Sequence, residues 1–230
     1  MEQNLANLGS FGLVFDNFDP DKVQTEETIN CVFVVDVSPS VRDYEDELNN
    51  GFNEFVQRMQ KSHVADRLFV STIEFNEKCK NKTGFQPIVN VPHTTFKSCG
   101  MGTALYDATK EGLKNALDWR KSLEDSGIST KTLLFIITDG EDNSSRTAPS
   151  EVKNLIEDFL KNEKNAFSFQ SILFGVNLSL KSSFEQAQKD MGIQNLAITG
   201  QSADEIRKMI NIISSSISTT SNGQPVNITF

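Results

Sequence analysis

The run I-N-C-V-F-V-V-D-V-S-P-S, Ile29 to Ser40, leaves the chain few architectures to choose from. Its apolar part, Cys31 to Val35, is short, rich in β-branched residues and not alternating. It therefore reads as a strand buried on both faces, of the kind found at the centre of a parallel α/β sheet. The strand ends in Asp36, and two hydroxyls follow at alternate positions, Ser38 and Ser40. In open α/β sheets the residues just past the carboxyl end of a central strand face the ligand crevice. A carboxylate and two hydroxyls there form a set of hard oxygen donors suited to Mg²⁺, Mn²⁺ or Ca²⁺. Pro39 restricts Ser38 to extended or turn geometry.

The remaining pattern alternates helices with strands. Asp43 to Gln60 is a helix with Tyr44, Leu48, Phe52, Phe55, Val56 and Met59 on one face. Gly51 in its middle costs stability unless close packing needs it. Arg67 to Phe75 is a strand. Lys78 to Gly84 reads as a polar turn, and Phe85 to Val91 as a short strand that Pro87 confines to an edge. The two strands form a hairpin. Thr94 to Gly102 is a loop. Thr103 to about Leu123 is a helix, with Trp119 at its flank. Lys131 to Thr138 is the second buried strand and ends in Asp139-Gly140, followed by the acidic, polar loop Glu141 to Ala148. A helix opens at Pro149 and runs to about Lys161. Then come a strand at Ala166 to Phe174, a helix at Lys181 to Met191, a last core strand at Ile193 to Ile198, and a closing helix from Ser202 to about Ile217. This order predicts an α/β fold: a doubly wound, mostly parallel central sheet, helices on both faces, and one antiparallel edge strand. Residues 1–28 read as an N-terminal arm or edge strand plus a linker, residues 29–217 as the domain, and residues 218–230 as a tail with an edge strand at Val226 to Phe230. Phe11, Phe15 and Phe18 on the arm are candidates for a docking face.

Composition narrows the class of partner. The chain of 230 residues carries 31 acidic and 22 basic residues, a formal charge of -9, which argues against nucleic acid or an anionic membrane. Its three cysteines, Cys31, Cys79 and Cys99, make neither a disulfide framework nor a zinc pattern and fit a reducing compartment. The opening M-E-Q-N-L-A-N-L lacks a basic region followed by an apolar one, so no secretion signal is expected. The apolar runs are strand-sized, too short to span a bilayer. Cytoplasmic residence is the expectation.

Three separated segments carry the candidate chemistry: D-V-S-P-S with Asp36, Ser38 and Ser40, then G-T-A-L-Y-D with Thr103, then I-I-T-D-G with Asp139. In this order they resemble the von Willebrand factor type A domain, whose corresponding segments form a metal-ion-dependent adhesion site. The resemblance covers residues 29–217. It implies that Ser38, Ser40 and Thr103 bind a divalent ion through their hydroxyls. It implies that Asp36 and Asp139 act through coordinated water or directly. Family members often have glycine where this chain has Pro39, which should stiffen the loop and leave the hydroxyls available. Mg²⁺ is the ion implied, with Mn²⁺ or Ca²⁺ as alternatives. Neutral hydroxyl donors leave such an ion able to attract an Asp or Glu from a partner protein. Thr138 and Asp107 are candidates to orient the ligands. Glu141 and Asp142 are rim residues that tune selectivity against acidic partners or attract a basic rim.

Other readings have less behind them. Each segment alone is an ordinary capping or turn sequence. Gly100 and Gly102 belong to neither a G-x-G-x-x-G nor a G-x-x-x-x-G-K-[ST] loop. No G-x-S-x-G occurs, and His63 and His93 read as surface residues. The expectation is a non-enzymatic, metal-dependent adaptor or scaffold module. The resemblance extends to intracellular bacterial and phage members of the family, some of them stress-response modules. Alternatives are a structural or virion-assembly component that uses its terminal arms, and a metal-dependent hydrolase.

Overall fold

A computed structural model describes residues 27–161, 168–224 and 226. Strand β1 (Glu27–Asp36) lies between β2 (Leu68–Phe75) and β4 (Ser129–Thr138), and both pair with it in parallel. β3 (Cys79–Pro87) runs antiparallel to β2 at one edge. β5 (Phe169–Gly175) and β6 (Asn195–Ile198) continue the sheet in parallel on the other side, giving the order β3-β2-β1-β4-β5-β6. The helices are α1 (Glu45–Gln60), α2 (Leu105–Asp125), α3 (Pro149–Leu160), α4 (Lys181–Met191) and α5 (Ala203–Ser221). This is the expected doubly wound sheet with one antiparallel edge strand.

β1 is buried on both faces because successive side chains point to opposite layers. Ile29, Cys31, Phe33 and Val35 join the core under α1 and α5, with Phe52, Phe55, Ile206, Ile210 and Ile213. Val32 and Val34 join the other core, under α2 and α3, with Leu105, Leu113, Trp119, Ile156 and Phe159. All six residues expected on the buried face of the first helix are buried, Tyr44 in the 3-10 turn (Pro39–Tyr44) just before α1.

Several elements differ from the sequence reading. Lys78 to Gly84 is not a turn: β3 covers most of it, and Pro87 ends the strand rather than interrupting it. An edge strand with one solvated face tolerates the polar residues that suggested a turn. Trp119 is not at a helix flank but in the core. Its ring stacks on Phe85 with centroids 5.0 Å apart, and its indole N–H donates to Asn30 Oδ1 at 3.0 Å. Among the described residues β6 lies at the edge of the sheet, half-exposed along most of its length. α5 continues four residues past the expected end, to Ser221. The N-terminal arm and the tail strand lie outside the described residues, apart from Glu27 and Thr28 in β1 and the buried Val226.

Gly51 has the packing reason its position demands. A Cβ there would lie 2.9 Å from Ile210 Cγ1 and 3.3 Å from Ile206 Cγ2, so α1 and α5 touch through the missing side chain. Alanine would gain about 1 kcal/mol of helix propensity. Forcing the contact apart costs about 1–3 kcal/mol. Gly51→Val, which adds two further methyls at the same contact, is expected to lower stability by at least about 2 kcal/mol in urea denaturation. An unchanged midpoint would mean that the two helices can separate without loss.

Candidate metal centre

The parallel register brings the carboxyl ends of β1 and β4 side by side, with Val35 opposite Ile137. Asp36 and Asp139 therefore leave adjacent strands at one edge of the sheet. Both oxygens of Asp36 are engaged. Oδ1 accepts the backbone N–H of Ser38 at 2.8 Å, and Oδ2 accepts the Thr138 hydroxyl at 2.6 Å. The Ser38 and Ser40 hydroxyls are 3.1 Å apart, and Ser40 donates to Asp139 Oδ1 at 2.7 Å. Thr103 reaches the same place from the loop before α2. A Cβ built on Gly140 would lie 3.6 Å from its hydroxyl oxygen. Asp36, Ser38, Thr103 and Asp139 are buried, while Ser40 is exposed. Hydrogen bonds join Ser38, Ser40 and Asp139, and Thr103 comes close to the Gly140 backbone beside them.

Thr103 is held by a residue that no motif marked. Its N–H donates to Asn143 Oδ1 at 2.8 Å, and its carbonyl accepts the N–H groups of Asn143 and Ser144 at 3.0 and 3.2 Å. Thr138 contacts Asp36 through its hydroxyl. Asp107 does something else: its carboxylate accepts the backbone N–H groups of Thr147 at 2.8 Å and Arg146 at 3.1 Å. It braces the loop after β4 rather than a ligand side chain. Asp142 returns the contact by accepting the Tyr106 N–H at 3.1 Å, one of the orphan amides in the first turn of α2. Glu141 accepts the hydroxyl of Ser183 at the start of α4. Before Thr103, Gly100 adopts φ +87 under the side chains of Asn76 and Glu77, and Glu77 accepts the Met101 N–H at 2.9 Å.

Burial dominates the electrostatics. It pushes the Asp139 carboxyl up to about 6; the Ser40 hydrogen bond opposes the rise and the neighbouring Asp36 charge adds to it. Burial also raises Asp36, against the hydrogen bonds from Thr138 and Ser38. Asp139 Oδ2 is buried and accepts no hydrogen bond among the described residues, and the buried Tyr44 hydroxyl is likewise unpartnered. Two adjacent buried carboxylates, one with an orphan oxygen, joined by three hydroxyls, are a donor set that a hard divalent cation fits. Among the described residues, no three or more His, Cys, Asp and Glu gather to hold a metal ion, here or elsewhere, so an ion at this place would take most of its protein donors from hydroxyls.

The raised Asp139 carboxyl has a consequence for the metal-free protein. An acid whose folded value exceeds its ordinary 3.8 holds its proton more tightly when folded. Folding then becomes less favourable as pH rises through the window from about 4 to about 6. Asp139→Asn is expected to gain on the parent by on the order of 2 kcal/mol across that window. Denaturant midpoints of the two proteins, measured without metal between pH 4 and 7, check this. Parallel profiles would show that Asp139 titrates alike in both states.

No protein-family model matches the sequence, and no curated protein matches it. Solved structures do match. A mutant of the PilB minor pilin from Streptococcus sanguinis superposes with a TM-score of 0.59 at 12% identity over 89% of this chain and 65% of that one. Proximal thread matrix protein 1 from the mussel byssus, with a zinc-occupied MIDAS motif, gives 0.54 at 16% identity over 89% of this chain and 49% of that one. The conserved hypothetical protein BatB from Bacteroides thetaiotaomicron gives 0.56 at 13% identity over 84% of this chain and 99% of that one. The chain thus spans about two thirds of the pilin and half of the byssus protein, but nearly all of BatB. At these identities the likeness concerns the backbone alone: the chain has a von Willebrand factor type A-like fold.

Proposed function

We propose that this chain is a divalent-metal-dependent protein-binding module, an adaptor or scaffold rather than an enzyme, which recruits an Asp or Glu of a partner protein. The observation that carries the reading is the orphaned, buried Oδ2 of Asp139 beside Asp36 and a cluster of hydroxyls. Ser38, Ser40, Thr103, Asp36 and Asp139 would hold Mg²⁺ or Mn²⁺, with Ca²⁺ as the alternative. When bound, the ion supplies an electrophilic centre that can take one more carboxylate oxygen. Thr138 keeps Asp36 aimed, Ser40 positions Asp139, and Asn143 fixes the backbone of Thr103. The formal charge of -9 supports a protein rather than a nucleic-acid partner. Three free cysteines support the cytoplasmic placement. Among the described residues, no helix is long and apolar enough to cross a membrane.

Water-proton relaxation of the Mn²⁺-loaded protein tests the reading. Added acetate or glutarate is expected to displace inner-sphere water and lower the relaxivity, with no effect in Asp139→Ala. Unchanged relaxivity on a folded, Mn²⁺-loaded protein would refute carboxylate recruitment. A screen of generic phosphatase and nuclease substrates, with Asp139→Ala as control, tests the non-enzymatic part. A second reading, an assembly component, draws on the pilin, the pilus adhesin and the byssus matrix protein among the fold neighbours.

A further inference from the structure

Among the described residues, six buried side-chain polar atoms make no hydrogen bond. Four of them lie toward the amino end of the sheet: Thr28 Oγ1 and Asn30 Nδ2 early in β1, Thr130 Oγ1 early in β4, and Thr220 Oγ1 beside Ser221, whose carbonyl accepts from Lys131. The other two belong to the carboxyl end, and they are complementary. Asp139 Oδ2 can only accept when the carboxylate is ionised, whereas the Tyr44 hydroxyl can donate. Local geometry brings Tyr44 there. It ends the 3-10 turn that begins at Pro39, so it follows Ser40 by little more than one turn. Its ring is fully buried in the core that also holds Val35, Val37 and Ile137 at the ends of β1 and β4.

A buried phenol ordinarily finds a hydrogen-bond partner, as the equally buried indole of Trp119 does on Asn30. Phenylalanine would fill the same core space without an orphan oxygen. The Tyr44 hydroxyl therefore destabilises the metal-free fold, and only a state that gives it an acceptor offsets the cost. Its surroundings single out that acceptor. Burial, then the charge of Asp139, then that of Asp36 hold the phenol well above its usual range, so it keeps its proton and stays a donor. Both oxygens of Asp36 already have donors, Ser38 and Thr138. Asp139 gives Oδ1 to Ser40 and leaves Oδ2 unengaged. A carboxylate oxygen that binds an ion keeps a lone pair for one hydrogen bond, and carboxylates at metal sites are as a rule held in that way.

We propose that Tyr44 is a positioning residue of the metal centre: its hydroxyl donates to Asp139 Oδ2 in the ion-loaded protein and holds that carboxylate as the Thr138 hydroxyl holds Asp36. The two atoms are not bonded to each other in the metal-free fold, so the bond belongs to the charged, ion-loaded state of Asp139. Tyr44 accordingly acts on ion affinity and not on the stability of the metal-free chain. This role rests on the metal-dependent reading and adds to it a residue four positions beyond Ser40, outside all three motif segments.

Tyr44→Phe removes the hydroxyl and keeps the ring. Isothermal titration of Mn²⁺ and Mg²⁺ into the whole chain is expected to show binding about tenfold weaker than in the parent. The thermal midpoint of the metal-free variant is expected to equal the parent's or exceed it, because an orphan oxygen has gone. A second readout is spectroscopic. Tyr44 and Tyr106 are the chain's two tyrosines, so tyrosine labelled with ¹³C at Cζ gives two resonances, and Tyr44→Phe assigns them. Saturating Mg²⁺ should move the Tyr44 resonance downfield, as for a phenol that gains an acceptor. Ion binding within about twofold of the parent, or an unmoved Tyr44 resonance, would overturn the role. A loss of metal-free stability beside the loss of affinity would overturn it as well, since that marks a residue that supports the fold. If the parent itself bound neither ion, the metal reading would fail and this role with it. A parent that binds both ions, beside a Tyr44→Phe variant that binds them equally well, would remove the role alone.

Discussion

Asp139→Ala is expected to weaken Mg²⁺ and Mn²⁺ binding at least about 100-fold while making the metal-free protein no less stable. The two halves of this result come from one cause. Asp139 is buried, its Oδ2 accepts no hydrogen bond among the described residues, and the Asp36 charge lies beside it. In the metal-free fold an ionised Asp139 is a liability, since a buried charge without a partner loses its hydration and gains little. Removing it relieves that cost and leaves Ser40 free to bond water. In the metal-bound fold the same charge is the main attraction for the ion. A residue that merely supports the loop would lower affinity and stability together. Isothermal titration of Mn²⁺, paired with denaturation of the metal-free variant, separates the cases. Retained binding, or a collapse in metal-free stability, would mean that Asp139 serves the fold rather than an ion.

Trp119→Ala is expected to cost about 3–5 kcal/mol, among the largest losses a single truncation in this core can produce. The ring is buried, stacks on Phe85, and contacts Phe69 with centroids 5.6 Å apart. Its N–H donates to Asn30 Oδ1 on β1. Truncation leaves a cavity between α2 and the β3 edge and strands a buried carbonyl oxygen. Trp119→Phe keeps most of the contact and isolates the second effect, at about 1–3 kcal/mol. Urea denaturation followed by circular dichroism measures both, because Trp119 is the chain's sole tryptophan and the variants lose its fluorescence. If the two variants lost equal stability, the ring's packing would contribute nothing beyond its hydrogen bond.

Much of the architecture was legible because it repeats with a short period. Cys31 to Val35 and Leu133 to Ile137 are continuous apolar runs, and only strands covered on both faces need them. α4 falls at Lys181–Met191 as its spacing predicts, with Gly192 in the left-handed conformation ending it. β3 was harder to see, since Lys80 to Gly84 show no apolar alternation and β2 holds them by backbone pairing. Trp119 was misplaced because helix periodicity specifies a face, whereas the depth of that face depends on what crosses it.

The candidate site divides along the same line. Local sequence placed the five candidate donors, Asp36, Ser38, Ser40, Thr103 and Asp139, near strand ends and a helix entrance. Strand-end chemistry is local, so a short run of residues carries it. The tertiary structure alone decided how the donors meet: Ser40 bonded to Asp139 across 99 residues, Thr138 to Asp36 across 102. It also chose Asn143 to hold Thr103, turned Asp107 toward the loop after β4, and opened a cavity beside Gly140. Those assignments depend on parallel register and on loops packed against helix starts. Both are set by contacts between residues far apart in the chain, which no local pattern encodes.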